Sequence, residues 1–203
     1  TLIVDETFTP PLANATPLIQ RLRSQRPDIL FLLPTAIPDA KLLLEKMNEF
    51  GLGRGKLPTI TTGAAILDPD LRSNMNVEQL EGVMSVVANW TTSAQKDMVE
   101  EFKRKTSEPW ATQHFVTTYG DMFIFKAALE AAGKADRASV AKALHAMDIS
   151  GGPASFFPGG KLKFNENGRR EGASLLIVQW QKGVPVTVYP PKEAISSPIW
   201  PKQ

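Results

Sequence analysis

Three apolar runs of strand length, at residues 29–33 (ILFLL), 57–63 (LPTITTG) and 82–88 (GVMSVVA), are separated by helical patterns. Strands joined through helices cannot pair as hairpins, so this alternation commits the first part of the chain to a β-α-β-α-β unit with a parallel sheet. A short β-rich run, 1–4, precedes a proline-rich loop and a helix over 17–25. Thr16 reads as its N-cap, Pro17 as its first residue, and Ile19 and Leu22 as its apolar face. The unbroken apolar run at 29–33 predicts a strand buried on both faces, inside the sheet. A second helix over 39–50 carries Leu43, Met47 and Phe50 on one side and is closed by Gly51; a weaker helical signal covers 69–74.

From Ser93 the pattern turns helical. Ser93 or Thr92 caps a helix running to about Lys105, with Met98, Val99 and Phe102 inward. A long helix over 115–133 follows. Thr118 and Asp121 match a capping box, Gly133 suits a left-handed end, and Lys126 and Glu130 pair at i, i+4. Its remaining positions are so apolar that it must pack on more than one side. A third helix, 137–147, turns Val140, Leu144 and Met147 inward. Three successive helices need a sheet that this segment does not supply. The chain closes with a β-rich tail, in which Asn167-Gly168 and Lys182-Gly183 are hairpin turns flanked by KLKF, SLLIVQW and VPVTVY. No internal repeat or low-complexity segment is present.

At 203 residues and 42% hydrophobic content, the chain can bury one large core or two modest ones. The formal charge of +2 is spread along the sequence, which argues against nucleic acid as a partner. No apolar run reaches the roughly 20 residues of a membrane span. Cysteine is absent, excluding disulfides and thiol chemistry while suiting an oxidising compartment. Without an initiating Met, Thr1 followed by LIV reads as the interior of a longer, processed protein.

Catalysis finds little to work with. His114 and His145 are the only histidines and lack metal-site spacing, Glu100-Glu101 and Asp68-Asp70 read as solvated, and no nucleophile elbow or phosphate loop occurs. Lys161, Lys163, Arg169 and Arg170 form a dense basic cluster that reads as edge protection. No enzyme, cofactor or metal is expected. In an open α/β sheet, ligands gather at the carboxyl ends of parallel strands, here 34–37, 61–64 and 89–90. Their hydroxyls, amides and indole suit holding a small organic molecule rather than cleaving it.

The elements TPLIQRLRSQRPDILFLL, NEFGLG, LPTITTG, LEGVMSVVANW, TTYGDMFIFKAALEAAG and GKLKFNENGRREGASLLIVQWQKGVPVTVYP, in that order, resemble the extracytoplasmic solute-binding proteins of ABC transporters in the Leu/Ile/Val-binding family. The helix led by Tyr119, the GxLxFxxNG hairpin and the VQW strand carry most of the specificity. The resemblance implies an α/β type I periplasmic binding fold, two doubly wound lobes that close on a ligand. It places 1–88 and 173–190 in the second lobe, 93–170 in a mostly helical, incomplete first lobe, 89–92 and 171–172 in crossings, and 191–203 in a C-terminal tail. The three helices without a sheet then belong to a first lobe whose N-terminal part lies outside this sequence.

Carried over by position, the ligand-facing residues are Thr35, Ile37, Thr62, Gly63, Ala64, Asn89, Trp90, Phe115, Thr118 and Tyr119. Amino-acid binders of the family hold the ligand ammonium with an acidic residue after the third of these strands. TTGAA offers none, which favours an aromatic or apolar carboxylate. The resemblance also implies amino-acid-type transport with a membrane permease as partner, a removed signal peptide and a periplasmic or surface-anchored location. The alternative on the same fold is the ligand-sensing domain of a regulator or receptor. Exposed apolar helix surface further predicts self-association of the chain by itself.

Overall fold

A computed structural model describes residues 1–63 and 65–200. It divides into two compact units, Thr1–Val87 together with the residues from Ile177 onward, and Ala88–Leu176.

In the first unit, α1 (Thr16–Gln25), β1 (Leu30–Phe31), α2 (Ile37–Glu49), β2 (Thr59–Thr62), α3 (Pro69–Ser73) and β3 (Met84–Val87) follow in order, with 3-10 turns at Ala65–Leu67 and Val77–Gln79. Strands β1, β2 and β3 are parallel: Leu30 stands beside Thr59, and Thr61 beside Ser85. The helical connections make this necessary, because only a crossover returns the chain in the same direction. A late hairpin of β6 (Leu176–Gln181) and β7 (Val184–Tyr189) completes the sheet in the order β1-β2-β3-β6-β7. Its two-residue turn, Lys182-Gly183, has φ of 53° and 79°, as the right-handed twist of the hairpin requires. Ile19, Leu43, Leu44, Met47, Leu71 and Trp180 are buried in this unit.

The second unit opens with a 3-10 turn, Ser93–Gln95, and α4 (Lys96–Thr106), then α5 (Gln113–Ala132) and α6 (Arg137–His145). A small antiparallel pair follows, β4 (Asp148–Ser150) with β5 (Lys161–Lys163), bridged by a 3-10 turn at Gly152–Phe156. The core of this unit gathers Ile124 and Ala128 of α5, Val140 of α6, and Met147, Ala154 and Leu162. The Asn165–Arg170 segment folds as the expected hairpin turn, with Asn165 N donating to Arg169 O at 2.9 Å.

Several expectations need correcting. Residues 1–4 have no ladder partner among the described residues and leave Leu2 and Ile3 exposed; a β-rich run is a strand only where a neighbour accepts it. The 29–33 run is not buried on both faces. Its ladder covers only Leu30 and Phe31, it lies at the sheet edge, and Phe31 (65% exposed) and Leu33 (57%) show one uncovered face. Thr16 lies inside α1 rather than capping it: Ala15 is the cap residue, and Asn14 Oδ1 accepts from Thr16 N at 2.9 Å. Helix α2 begins at Ile37, earlier than Asp39. No residue of α4 is fully buried; Met98, Val99 and Phe102 reach only half burial. The α5 cap is Thr112, whose hydroxyl accepts from Phe115 N at 3.5 Å, so Thr118 and Asp121 lie within the helix and form no capping box. A box pattern inside an already helical run has no free N–H groups to satisfy. Met122 (61% exposed) and Phe125 (48%) likewise leave part of the α5 circumference open. Finally, β4 was not expected; its DIS sequence is too short to stand out before β5 pairs with it.

Candidate functional site

In the first unit, the parallel strands put their carboxyl ends along one edge of the sheet. Thr35 follows β1 and is exposed, and Ile37, half-buried, opens α2. Thr62, exposed, ends β2, while its neighbour Thr61 is buried and donates from Oγ1 to Met84 O at 3.0 Å. Alternation along the strand explains the difference: one threonine ties the sheet, the next is left at its rim. Gly63 has φ of +80° with nothing near the position of a Cβ, so the backbone angle, not crowding, calls for glycine. Its N–H donates to Val86 O at 3.0 Å, and its carbonyl accepts from Ser85 Oγ at 2.7 Å. Ala64 lies outside the described residues.

The rim also holds a carboxylate that the sequence reading did not single out. Asp39, in the first turn of α2, is buried, accepts from Leu12 N through Oδ1 at 2.8 Å, and has no hydrogen-bond partner for Oδ2 among the described residues. It pins the proline-rich loop to the helix that Ile37 begins. An acidic residue in the first turn of a helix was the available signal.

In the second unit, Asn89 (2% exposed) and Trp90 (1%) are buried, not presented to solvent. Asn89 Nδ2 donates to Phe156 O at 2.9 Å, whereas Asn89 Oδ1 and Trp90 Nε1 have no hydrogen-bond partner among the described residues. Thr92 and Gln95 form a full capping box, and Gln95 Nε2 reaches Ser155 O at 2.8 Å. Gln113, the first residue of α5, accepts from Ala88 N at 3.2 Å. The 88–95 segment is thus tied by side-chain amides to both α5 and the Gly152–Phe156 turn.

Phe115 and Tyr119 stack one turn apart on α5, with ring centroids at 5.6 Å, and the cluster continues through Phe102, Phe123 and Phe156. Thr118 is exposed beside them. Of the expected second-unit residues, Phe115 and Tyr119 therefore share a surface cluster, while Asn89 reaches it only through Phe156. Burial raises the Asp121 pKa from its ordinary value. Around the basic hairpin, Lys161 pairs with Asp148 at 3.2 Å and Lys163 with Glu171 at 3.0 Å. Arg170 donates to Pro158 O at 2.9 Å and lies over the Phe157 ring, 5.7 Å from its centroid. These cations are engaged locally. Among the described residues, no three His, Cys, Asp or Glu side chains gather as a metal site, and no helix is long and apolar enough to cross a membrane.

The chain belongs to the periplasmic binding protein family, whose sequence model matches residues 1–184. Among curated relatives, it is similar to the Leu/Ile/Val-binding protein homolog 7 of Brucella suis biovar 1, 28% identical over 96% of this chain and 49% of that protein. Among solved structures, it is similar to an ABC-transporter solute-binding protein of R. palustris in complex with benzoate, with TM-score 0.70, 14% identity, and coverage of 93% of this chain and 49% of that one. A fatty acid ABC transporter substrate-binding protein from Thermomonospora curvata gives TM-score 0.69 at 19% identity, over 94% of this chain and 49% of that one. The chain spans about half the length of the curated relatives it matches.

Proposed function

We propose that this protein captures a small organic solute and delivers it to the permease of an ABC-type importer, in the periplasm or at the cell surface, without chemical change to the ligand. Membership of the periplasmic binding protein family carries this reading. The residues proposed to face the ligand are Thr35, Ile37, Thr62 and Gly63 in the first unit, and Phe115, Thr118 and Tyr119 in the second. Ala64 is included by sequence position alone. Asn89 and Trp90 belong to the same proposal, with a changed role for Asn89: its Nδ2 is committed to Phe156 O. Retention of ligand is proposed to follow from its stronger affinity for a closed state of the protein.

The proposed ligand is an aromatic or apolar carboxylate. Two features support it: TTGAA lacks an acidic partner for an ammonium, and the α5 surface carries contiguous aromatic rings. The benzoate- and fatty-acid-associated proteins of the same fold are consistent with that chemistry. Leucine is the rival, from the name of the Brucella relative. Calorimetric titration of the full-length gene product with benzoate, octanoate and leucine decides between them. Saturable binding of either acid is expected; binding of leucine alone would overturn the ligand assignment. Unchanged solute uptake after deletion of the gene would overturn the transport reading.

A further inference from the structure

We propose that Phe156 is a specificity-determining residue that favours an aromatic ligand body, and that Asn89 and Gln95 are the positioning residues that hold it in place. This rests on the reading of Tyr119 as ligand-facing.

The Gly152–Phe156 turn is short and would be expected to wander. Two buried side-chain amides fix it instead: Asn89 Nδ2 holds Phe156 O at 2.9 Å and Gln95 Nε2 holds Ser155 O at 2.8 Å. Gln95 is itself immobilised, since its Oε1 accepts from Thr92 N at 2.7 Å and from Thr92 Oγ1 at 2.8 Å. A third constraint comes from α5. A Cβ on Gly120 would fall 2.8 Å from Phe156 Cβ, so only glycine lets the turn approach the helix this closely. Three separate devices therefore set the orientation of one residue.

That residue is not a core side chain. Phe156 is half-buried, and its ring stands edge-on to Tyr119, with centroids at 5.3 Å and an interplanar angle of 86°. It also lies 5.3 Å from Phe123 at 31°. Within this chain Tyr119 is 37% and Phe123 38% exposed. Fixing a ring precisely while leaving it accessible is how a recognition surface is prepared. Rings set at a T-shape and a tilt offer both edge and face to a further flat ring at the usual 4.5 to 7 Å separation, a preference of about 3- to 10-fold over an aliphatic group of equal area. A branched aliphatic body gains contact area there but no quadrupole complementarity.

The test measures selectivity, not affinity alone. The full-length gene product is titrated with benzoate and with 4-methylpentanoate, as wild type and as Phe156→Leu, Phe156→Tyr and Gln95→Leu, with thermal melts to confirm folding. Phe156→Leu keeps an apolar group and removes the ring. The benzoate-to-aliphatic affinity ratio should fall about 3- to 10-fold. Phe156→Tyr should restore it, and Gln95→Leu should lower it in the same direction. A ratio unchanged in Phe156→Leu, or an equal loss for both acids, overturns the role given to Phe156 while leaving the solute-binding reading intact. Wild-type protein that binds neither acid overturns the carboxylate reading and this proposal with it.

Discussion

The indole Nε1 of Trp180 donates to the carbonyl of Ile66 at 2.9 Å, joining strand β6 to a 3-10 turn 114 positions earlier in the chain. Trp180 is fully buried, and its backbone N–H donates to Val83 O, just before β3, at 3.0 Å. One residue thus fastens the returning strand to the earlier part of the first unit by backbone and side chain. The VQW strand carried much of the family resemblance in the sequence, and this contact gives it a physical reason.

Trp180→Phe should destabilise the protein by about 2 to 4 kcal/mol. It leaves a buried carbonyl without its donor and a cavity where the second ring stood. Denaturant unfolding followed by circular dichroism reads the change; a loss under 0.5 kcal/mol would mean that the indole hydrogen bond is immaterial.

Gly120→Ala should cost about 1 to 3 kcal/mol, despite alanine being the better helix former, because the new methyl meets Phe156 Cβ at 2.8 Å and Phe157 ring atoms at 2.9 Å. Combining it with Phe157→Ala should recover part of the loss. Stabilisation by the single change would show that the turn moves aside freely.

Gln179 and Gln181 project from the same side of β6 and hold the tail by its backbone. Gln179 Oε1 accepts from Ile199 N at 2.8 Å and its Nε2 donates to Ile199 O at 2.7 Å; Gln181 Nε2 donates to Ser197 O at 2.8 Å. Gln179→Leu removes both partners of the Ile199 backbone in a part-buried site, so amide exchange at Ile199 should accelerate at least tenfold while exchange in α5 stays unchanged. Equal acceleration in both places would point to global destabilisation instead.

Helix α6 should loosen in acid. Asp136 caps it, accepting from Ser139 N at 3.0 Å, and this bond, assisted by Lys134, lowers the carboxyl pKa from its ordinary value. The folded state therefore favours the ionised form. Its contribution is complete above the ordinary Asp range and disappears as pH falls through the lowered native value. Asp136→Asn, which caps without titrating, should remove that share of the pH dependence, measured as exchange protection at the start of α6. Identical acid profiles for the two proteins would refute it.

Local chemistry made much of this legible beforehand. Helix periodicity located α1, α2, α5 and α6, the Gly133 stop was readable, and Lys182-Gly183 announced its hairpin. Where the reading failed, the missing fact was a neighbour. The 29–33 run is apolar enough for a central strand, yet β1 lies at the edge of the sheet and Phe31 and Leu33 are exposed on one face. Thr118 and Asp121 match a capping box, but the helix had already started at Gln113. The candidate site divides in the same way. Thr35, Thr62 and Gly63 follow from the rule that parallel strands end together, whereas Phe156 carries no motif and enters only through its contacts.

By itself, then, the sequence determined the order and type of most helices and of the strands in the first unit and the late hairpin, because periodicity and turn residues act over a few positions and leave a local trace. Tertiary structure alone decided which apolar surfaces are covered and which buried amides are spent on positioning. The bonds from Asn89 to Phe156 and from Gln95 to Ser155 span 67 and 60 positions. Contacts of that range are set by packing, and nothing in the spacing of the residues encodes them.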